Sequence, residues 1–188
     1  MNVYDFDNTI YDGESVVDFY FFSLRKYPRL ISILPKVAEV LIKYKACIIS
    51  SEELFSVAEK YVSNVLRSID FESLVSDFWD KNQRKIKGFY LEQQKDDDVI
   101  LSASWSYLIE EACRRIGIKT VIASQIDLKE GKIHRLCFRE KKVEIFKSIF
   151  PNAVVDNFYT DSMNDAPMFK LAKRVFLVKG DKIKEIEK

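Results

Sequence analysis

The sequence predicts an α/β fold: a Rossmann-like parallel sheet with helices on both faces, plus an all-α helical cap inserted near its start. Three observations carry this. Short apolar runs at 2–6, 99–101, 119–123, 153–159 and 174–178 read as buried strands. Helical periodicity fills the intervals at 105–116, 141–149 and 166–172. The polar residues best suited to chemistry, Asp5, Asp7, Ser102, Asp161 and Asp165, all follow an apolar run, at the strand ends where such sheets build their sites.

Between the first and second strands the pattern is helical throughout. Leu54, Val57, Ala58, Tyr61, Val62 and Val65 recur at helical spacing, and Ser50 or Ser51 with Glu52 and Glu53 makes a helix start. Residues 16–94 are therefore read as the cap, a bundle of four or so helices, and 1–15 with 95–188 as the core. The aromatic residues Phe19, Tyr20, Phe21, Phe22, Phe78 and Trp79 read as cap core and cap–core contact. Lys95 to Asp98 reads as a solvated turn returning to the core. Gly117 is a natural helix C-cap, and 127–133 with Gly131 suggests a hairpin excursion.

A chain of 188 residues suits one catalytic domain with a small insert. The net charge of +1 supplies no global field toward nucleic acid or an anionic membrane. Cys47, Cys113 and Cys137 are odd in number and far apart, which argues against a disulfide framework or a zinc site. Free thiols suit a reducing, cytoplasmic location. The single histidine, His134, lies in a charged stretch and reads as solvated, so histidine-based catalysis is not expected. No signal peptide is read at the N-terminus. The most apolar long segment, 30–49, is broken by Pro35, Lys36, Glu39, Lys43 and Lys45, so stable membrane insertion is not expected.

In Asp5-Phe6-Asp7-Asn8-Thr9 two carboxylates stand two residues apart at a strand end. They can share a hard cation such as magnesium, which favours oxygen ligands. One can attack phosphorus while the other handles a proton. Alone, the same string equally suits an acidic loop capping a helix. Asp161-Ser162-Met163-Asn164-Asp165 adds two carboxylates, and four acids at one sheet edge repel each other without a cation. Ser102 can hold a phosphate oxygen at the following helix N-terminus or merely cap that helix. Lys141 or Lys142 can balance phosphoryl charge.

Asp5-Phe6-Asp7-Asn8-Thr9, Leu101-Ser102-Ala103-Ser104, a lysine at 141 or 142, and Thr160-Asp161-Ser162-Met163-Asn164-Asp165 together resemble the four ordered motifs of the haloacid dehalogenase-like hydrolases. The likeness covers nearly the whole chain. The excursion 126–137 with Lys142-Val143, and Asp165-Ala166-Pro167-Met168, are similar to the phosphoserine-phosphatase-like branch with a helical cap. The resemblance implies a magnesium-dependent phosphatase that hydrolyses a small-molecule phosphate monoester through an aspartyl-phosphate. Asp5 is then the nucleophile and Asp7 the acid–base. Lys142, with Lys141 as runner-up, neutralises charge, and Thr9 and Ser102 hold the phosphoryl group. Asp161 ligates Mg2+ with the Asp5 carboxylate and the Asp7 carbonyl, and Asp165 acts through water or by orienting Lys142. Asp7 favours phosphate esters over haloacids. Glu14 matches the place where phosphoserine phosphatases bind the substrate amine. Ser102-Ala103-Ser104 departs from that enzyme's Ser-Gly-Gly, and no arginine stands near Lys60 to bind a substrate carboxylate. Arg25, Arg29, Arg67 and Arg84 qualify only by residue type. A generic small phosphomonoester is preferred over phosphoserine, with a phosphotransferase or a non-catalytic phosphate-binding module as further alternatives. The oligomeric state is not set by the sequence.

Overall fold

The computed structural model describes residues 1–45, 48, 53, 69–127 and 132–187. Cys47, Ser50, Ser51, Glu52, Lys60, Arg67, Gly131 and the apolar series Leu54 to Val65 lie outside them.

A seven-stranded sheet in the order β4-β3-β2-β1-β5-β6-β7 forms the centre. Its strands are β1 (Asn2–Tyr4), β2 (Val99–Trp105), β3 (Thr120–Asp127), β4 (Lys132–Arg135), β5 (Val155–Thr160), β6 (Ala172–Lys179) and β7 (Lys182–Ile186). The five inner strands are parallel, and β4 and β7 close the edges antiparallel. β1 lies in the middle, with Val3 opposite Val99 on one side and Phe158 on the other. Every side chain of β1 is buried, which is why the strand reads as a continuous apolar run.

Alternation along these strands sorts the core into two layers. Tyr4, Ile100 and Tyr159 face one side, with α1 (Ser15–Lys26), α3 (Phe71–Asn82), α4 (Gly88–Gln93) and α5 (Ser106–Arg115). Val3, Val99, Leu101 and Phe158 face the other, where Phe146 of α6 (Glu140–Ile149) and Met168 of α7 (Ala166–Phe169) cover them. Helices thus occupy both faces. A further helix, α2 (Leu34–Lys45), follows a 3₁₀ segment at Pro28–Ile33. α3 packs directly on the core: Trp79 Nε1 donates to the Leu108 carbonyl at 2.8 Å, and Phe78 and Trp79 share a buried cluster with Tyr4 and Ile100. Among the other aromatics, Phe19 is buried and Phe21 is exposed.

Three features differ from the sequence expectation. β2 continues through Trp105, and the helix begins at Ser106. Opposite it, Leu101 pairs with Ile122 and Trp105 with Ser124, so four steps on β2 match two on β3. This bulge is held by Ser124 Oγ donating to the Ala103 carbonyl at 2.7 Å. The helix expected over 166–172 is one turn, because β6 pairs with β5 from Ala172 onward. The hairpin excursion expected after β3 is present, with β4 pairing antiparallel to β3 from Lys132. β7 was not expected. It returns on β6 through Gly180 and Asp181, with Gly180 at φ +57°.

Gly117, at φ +81°, ends α5 as expected. Cys113 and Cys137 are buried free thiols, and His134 is exposed beside Asp127. Among the described residues no helix is long and apolar enough to cross a membrane.

Candidate active site

β1 delivers Asp5 to the sheet's C-terminal edge, where the Asp5 amide still donates to Tyr159 of β5 at 2.8 Å. The chain then turns sharply. The amides of Thr9, Ile10 and Tyr11 all donate to the Phe6 carbonyl, and Asn8, at φ +56°, donates its amide to Gly13 at 2.9 Å. Asn and Gly are the residues that tolerate such left-handed backbone, and Gly13 sits at φ +131°. This turn folds Asp7 back beside Asp5.

Lys142 enters from the opposite layer. α6 turns Lys142 and Phe146, four residues apart, inward, while Lys141 is exposed. Lys142 is 2% exposed. Its ammonium donates to Asp5 Oδ1 at 2.8 Å and to Asp165 at 2.9 Å. Thr160 Oγ1 also donates to Asp165, at 2.9 Å. Asp165 therefore spends its carboxylate on Lys142 and Thr160, which suits a group that orients the lysine. Burial alone would lower the Lys142 pKa, and the Asp5 and Asp165 charges more than reverse that. Burial pushes the Asp5 carboxyl up to about 7; Lys142 opposes this, and Asp165 adds to it. Thr9 Oγ1 lies 3.5 Å from the other Asp5 oxygen and is fully buried.

Asp7 is clamped by two serines. The Ser15 amide donates to its Oδ1 at 2.6 Å, and Ser104 Oγ donates to its Oδ2. Ser15 Oγ in turn reaches Ser104 Oγ at 3.4 Å. Burial raises the Asp7 pKa, and the Ser104 and Ser15 hydrogen bonds counter it in part. Ser102 lies in the β2 bulge, not at the start of α5, so it is not the N-cap of that helix. Its Oγ accepts from the Ser104 amide at 3.0 Å, which fixes the backbone that presents Ser104.

Asp161 follows β5 and is half-exposed. Burial raises its pKa, with Lys179 opposing and Asp165 adding. Lys179 Nζ holds the Asp161 carbonyl at 2.6 Å. Glu14 caps α1 from an exposed position and accepts from Asn8 Nδ2 at 2.6 Å. Arg25, Arg29 and Arg84 are exposed.

Ser15, Ser104 and Thr160 were not singled out by role in the sequence. Ser104 carried no signal of helix or strand period, because the strand bulges there. Among the described residues no three His, Cys, Asp or Glu side chains gather as a metal-binding group. The donor set nevertheless fits Mg2+. That ion is bound through one or two carboxylates plus waters and phosphate oxygens rather than an all-protein cage. Asp5 and Asp161 with the Asp7 carbonyl are the donors that the resemblance implies; Asp165 is bonded to Lys142 and Thr160, and the Asp7 carboxylate to Ser15 and Ser104.

A buried lysine joining two carboxylates, beside a second strand-end aspartate on a mainly parallel sheet, marks an aspartate-centred α/β enzyme. The family model for haloacid dehalogenase-like hydrolase (HAD) matches residues 3–170, and the chain belongs to that family. Its fold is shared with solved structures at low identity. A protein with unknown function from Bordetella pertussis Tohama I is 17% identical at a TM-score of 0.76, covering 93% of this chain and 87% of that one. A phosphoserine phosphohydrolase-like protein from Francisella tularensis subsp. tularensis SCHU S4 is 16% identical at 0.61, covering 93% and 86%. A substrate-bound phosphoserine phosphatase is 16% identical at 0.56, covering 92% and 82%. No protein with a curated description matches the sequence.

Proposed function

We propose that this protein is a magnesium-dependent phosphatase that hydrolyses a small-molecule phosphate monoester through an aspartyl-phosphate on Asp5. One observation carries it: a buried Asp5–Lys142–Asp165 triad and, two residues on from Asp5, a second carboxylate, Asp7, held separately by Ser15 and Ser104. Two carboxylates in different environments suit two different roles. Names borne by structural neighbours point the same way, since one is a phosphoserine phosphatase with a phospho-aspartyl intermediate analogue.

In this reading Lys142 fixes one oxygen of Asp5, leaving the oxygen near Thr9 to attack phosphorus. The P–O ester bond breaks, and Asp7, protonated with help from its burial, gives its proton to the departing alkoxide. Asp7 then takes a proton from water as that water attacks the same phosphorus. Asp5 and inorganic phosphate are released. Mg2+, held by the Asp5 and Asp161 carboxylates and the Asp7 carbonyl, would supply charge neutralisation for the phosphoryl oxygens. Residues 16–94 would act as the cap that shapes the substrate pocket.

A generic monoester remains preferred to phosphoserine. Glu14 is available at the loop following Asp7, but the described cap arginines, Arg25, Arg29 and Arg84, are all solvent-exposed. The test is p-nitrophenyl phosphate hydrolysis with Mg2+, followed by a panel of phosphorylated metabolites that includes phosphoserine. Turnover that Asp5→Asn abolishes supports the proposal, and no turnover by the wild type overturns it. Product analysis with added alcohols separates hydrolysis from transfer to an acceptor.

A further inference from the structure

Lys87 is a buried ammonium with no part in the chemistry above. It is 8% exposed, and among the described residues it has no carboxylate in ion-pair range. Its Nζ donates to the Asn8 carbonyl at 2.6 Å and to the Gly180 carbonyl at 2.9 Å. Charged donors to neutral carbonyls make strong hydrogen bonds. The backbone of Lys87 is itself fixed: its amide donates to Ile10 at 2.8 Å, and the Asp12 amide donates to Lys85 at 2.8 Å, on either side of a Tyr11–Ile86 bridge. One side chain thus ties the return from the helical insert, the loop after β1 and the β6–β7 turn together.

The residue it grips matters most. Asn8 immediately follows Asp7 and holds left-handed backbone, which an L-residue adopts at a cost. That turn directs Asp7 toward the Ser15 amide and Ser104. A cation on the Asn8 carbonyl stabilises that peptide orientation. Asp12, Asp181 and Asp161 surround the ammonium at longer range.

We infer that Lys87 is a positioning residue for Asp7: through the Asn8 carbonyl it sets the turn that aims the Asp7 carboxyl at the leaving group. The inference rests on the proposed phosphatase reading and on Asp7 as its acid. A mere fold-stabilising lysine would affect all substrates alike. A lysine that aims the acid matters most where the leaving group needs a proton, and little for p-nitrophenolate, which leaves without one.

The test compares Lys87→Met with wild type on an alkyl phosphate, such as glycerol phosphate, and on p-nitrophenyl phosphate. Misplacing a catalytic group costs about 10- to 100-fold. We expect kcat/KM, which reports the steps up to departure of the alcohol, to fall by that factor for the alkyl phosphate and to change less than about 3-fold for p-nitrophenyl phosphate. Amide hydrogen exchange on the metal-free protein gives a second readout. The Ser15 amide, which donates to Asp7, should lose protection while those of β2 keep theirs. Should the methionine variant fail to fold, Lys87→Arg is read by the same substrate ratio, since a guanidinium cannot reproduce both short contacts. Equal losses of kcat/KM on both substrates, or unchanged Ser15 protection, overturn the inference. Failure of the wild type on p-nitrophenyl phosphate would instead sink the phosphatase reading.

Discussion

Lys142 Nζ lies 2.8 Å from Asp5 Oδ1 although 137 residues separate them in sequence. Neither group has another way to be buried. The lysine needs both carboxylates to keep its charge, and Asp5 needs the lysine to keep any charge at neutral pH. Lys142→Met should therefore act on both rate and fold. Loss of such a charge donor typically costs about 10²–10³ in kcat. Breaking a buried ion pair costs about 3–5 kcal/mol. Denaturant unfolding at neutral pH should show that loss, and it should shrink in acid, where Asp5 takes up a proton. Lys141→Met, on the exposed side of α6, should leave both quantities near wild type.

The raised Asp5 pKa predicts a pH-dependent stability in metal-free protein. The carboxyl titrates at 3.8 ordinarily and at about 7 here. Below pH about 4 it is protonated in both folded and unfolded states, and burying it costs no charge. Between the two values the unfolded chain has lost the proton and the folded chain retains it. Stability therefore falls as pH rises through this window, and the loss is complete above about 7. Asp7, Glu14 and Asp161 shift in the same direction, so the wild type alone does not isolate Asp5. The difference between wild type and Asp5→Asn does. Chemical denaturation in chelator from pH 4.5 to 7.5 should show the wild type losing ground to the variant as pH rises. A constant difference would rule this out.

The sheet and its acidic ends were legible because buried strands leave short runs rich in apolar residues, and Asp5 and Asp161 stand at their ends. The bulge in β2 was not. Ser102-Ala103-Ser104-Trp105 has no helix or strand period of its own, and its path is set by Ser124 across the sheet. That geometry puts Ser104 on Asp7, so a boundary error hid a site residue. β7 was missed because Lys182–Ile186 is charged and mostly exposed, as edge strands are. The Gly180-Asp181 pair was its readable signal, a two-residue hairpin turn. Lys142, preferred to Lys141 on the resemblance, also has the helical spacing to the core residue Phe146. Lys87 had no local signal at all, since its two carbonyl partners come from distant parts of the chain.

Ser104→Ala should move the pH dependence of catalysis. The Ser104 hydroxyl stabilises the charged form of Asp7 and so lowers its pKa from the value burial would give. Without that donor the Asp7 pKa rises further. Asp7 then keeps its proton to higher pH as an acid, and gives less base at low pH for the water step. The limb of the pH–rate profile assigned to Asp7 should shift upward, with the Asp5 limb unmoved. Activity at the optimum should fall about tenfold or more, in line with loss of one preorganised hydrogen bond. Asp7→Asn supplies the control, since a limb that survives in that variant belongs to another group.

Mg2+ binding should be visible without turnover. An ion that binds the folded state stabilises it by about 2.7 kcal/mol at a hundred times its Kd. For a chain of this length that is a rise of about 5–10 °C in Tm. Wild-type protein at neutral pH should show it on addition of Mg2+, and Ca2+ should do less in a site built from few carboxylates. Asp161→Asn removes a carboxylate that makes no hydrogen bond to a buried lysine, so its fold should survive while the Mg2+ shift disappears. Asp165→Asn should behave differently. It keeps a hydrogen-bonding oxygen for Lys142 and Thr160, and should retain most of the shift while slowing turnover. Equal loss of the Mg2+ response in both variants would put Asp165 among the metal ligands and remove it from its place behind Lys142.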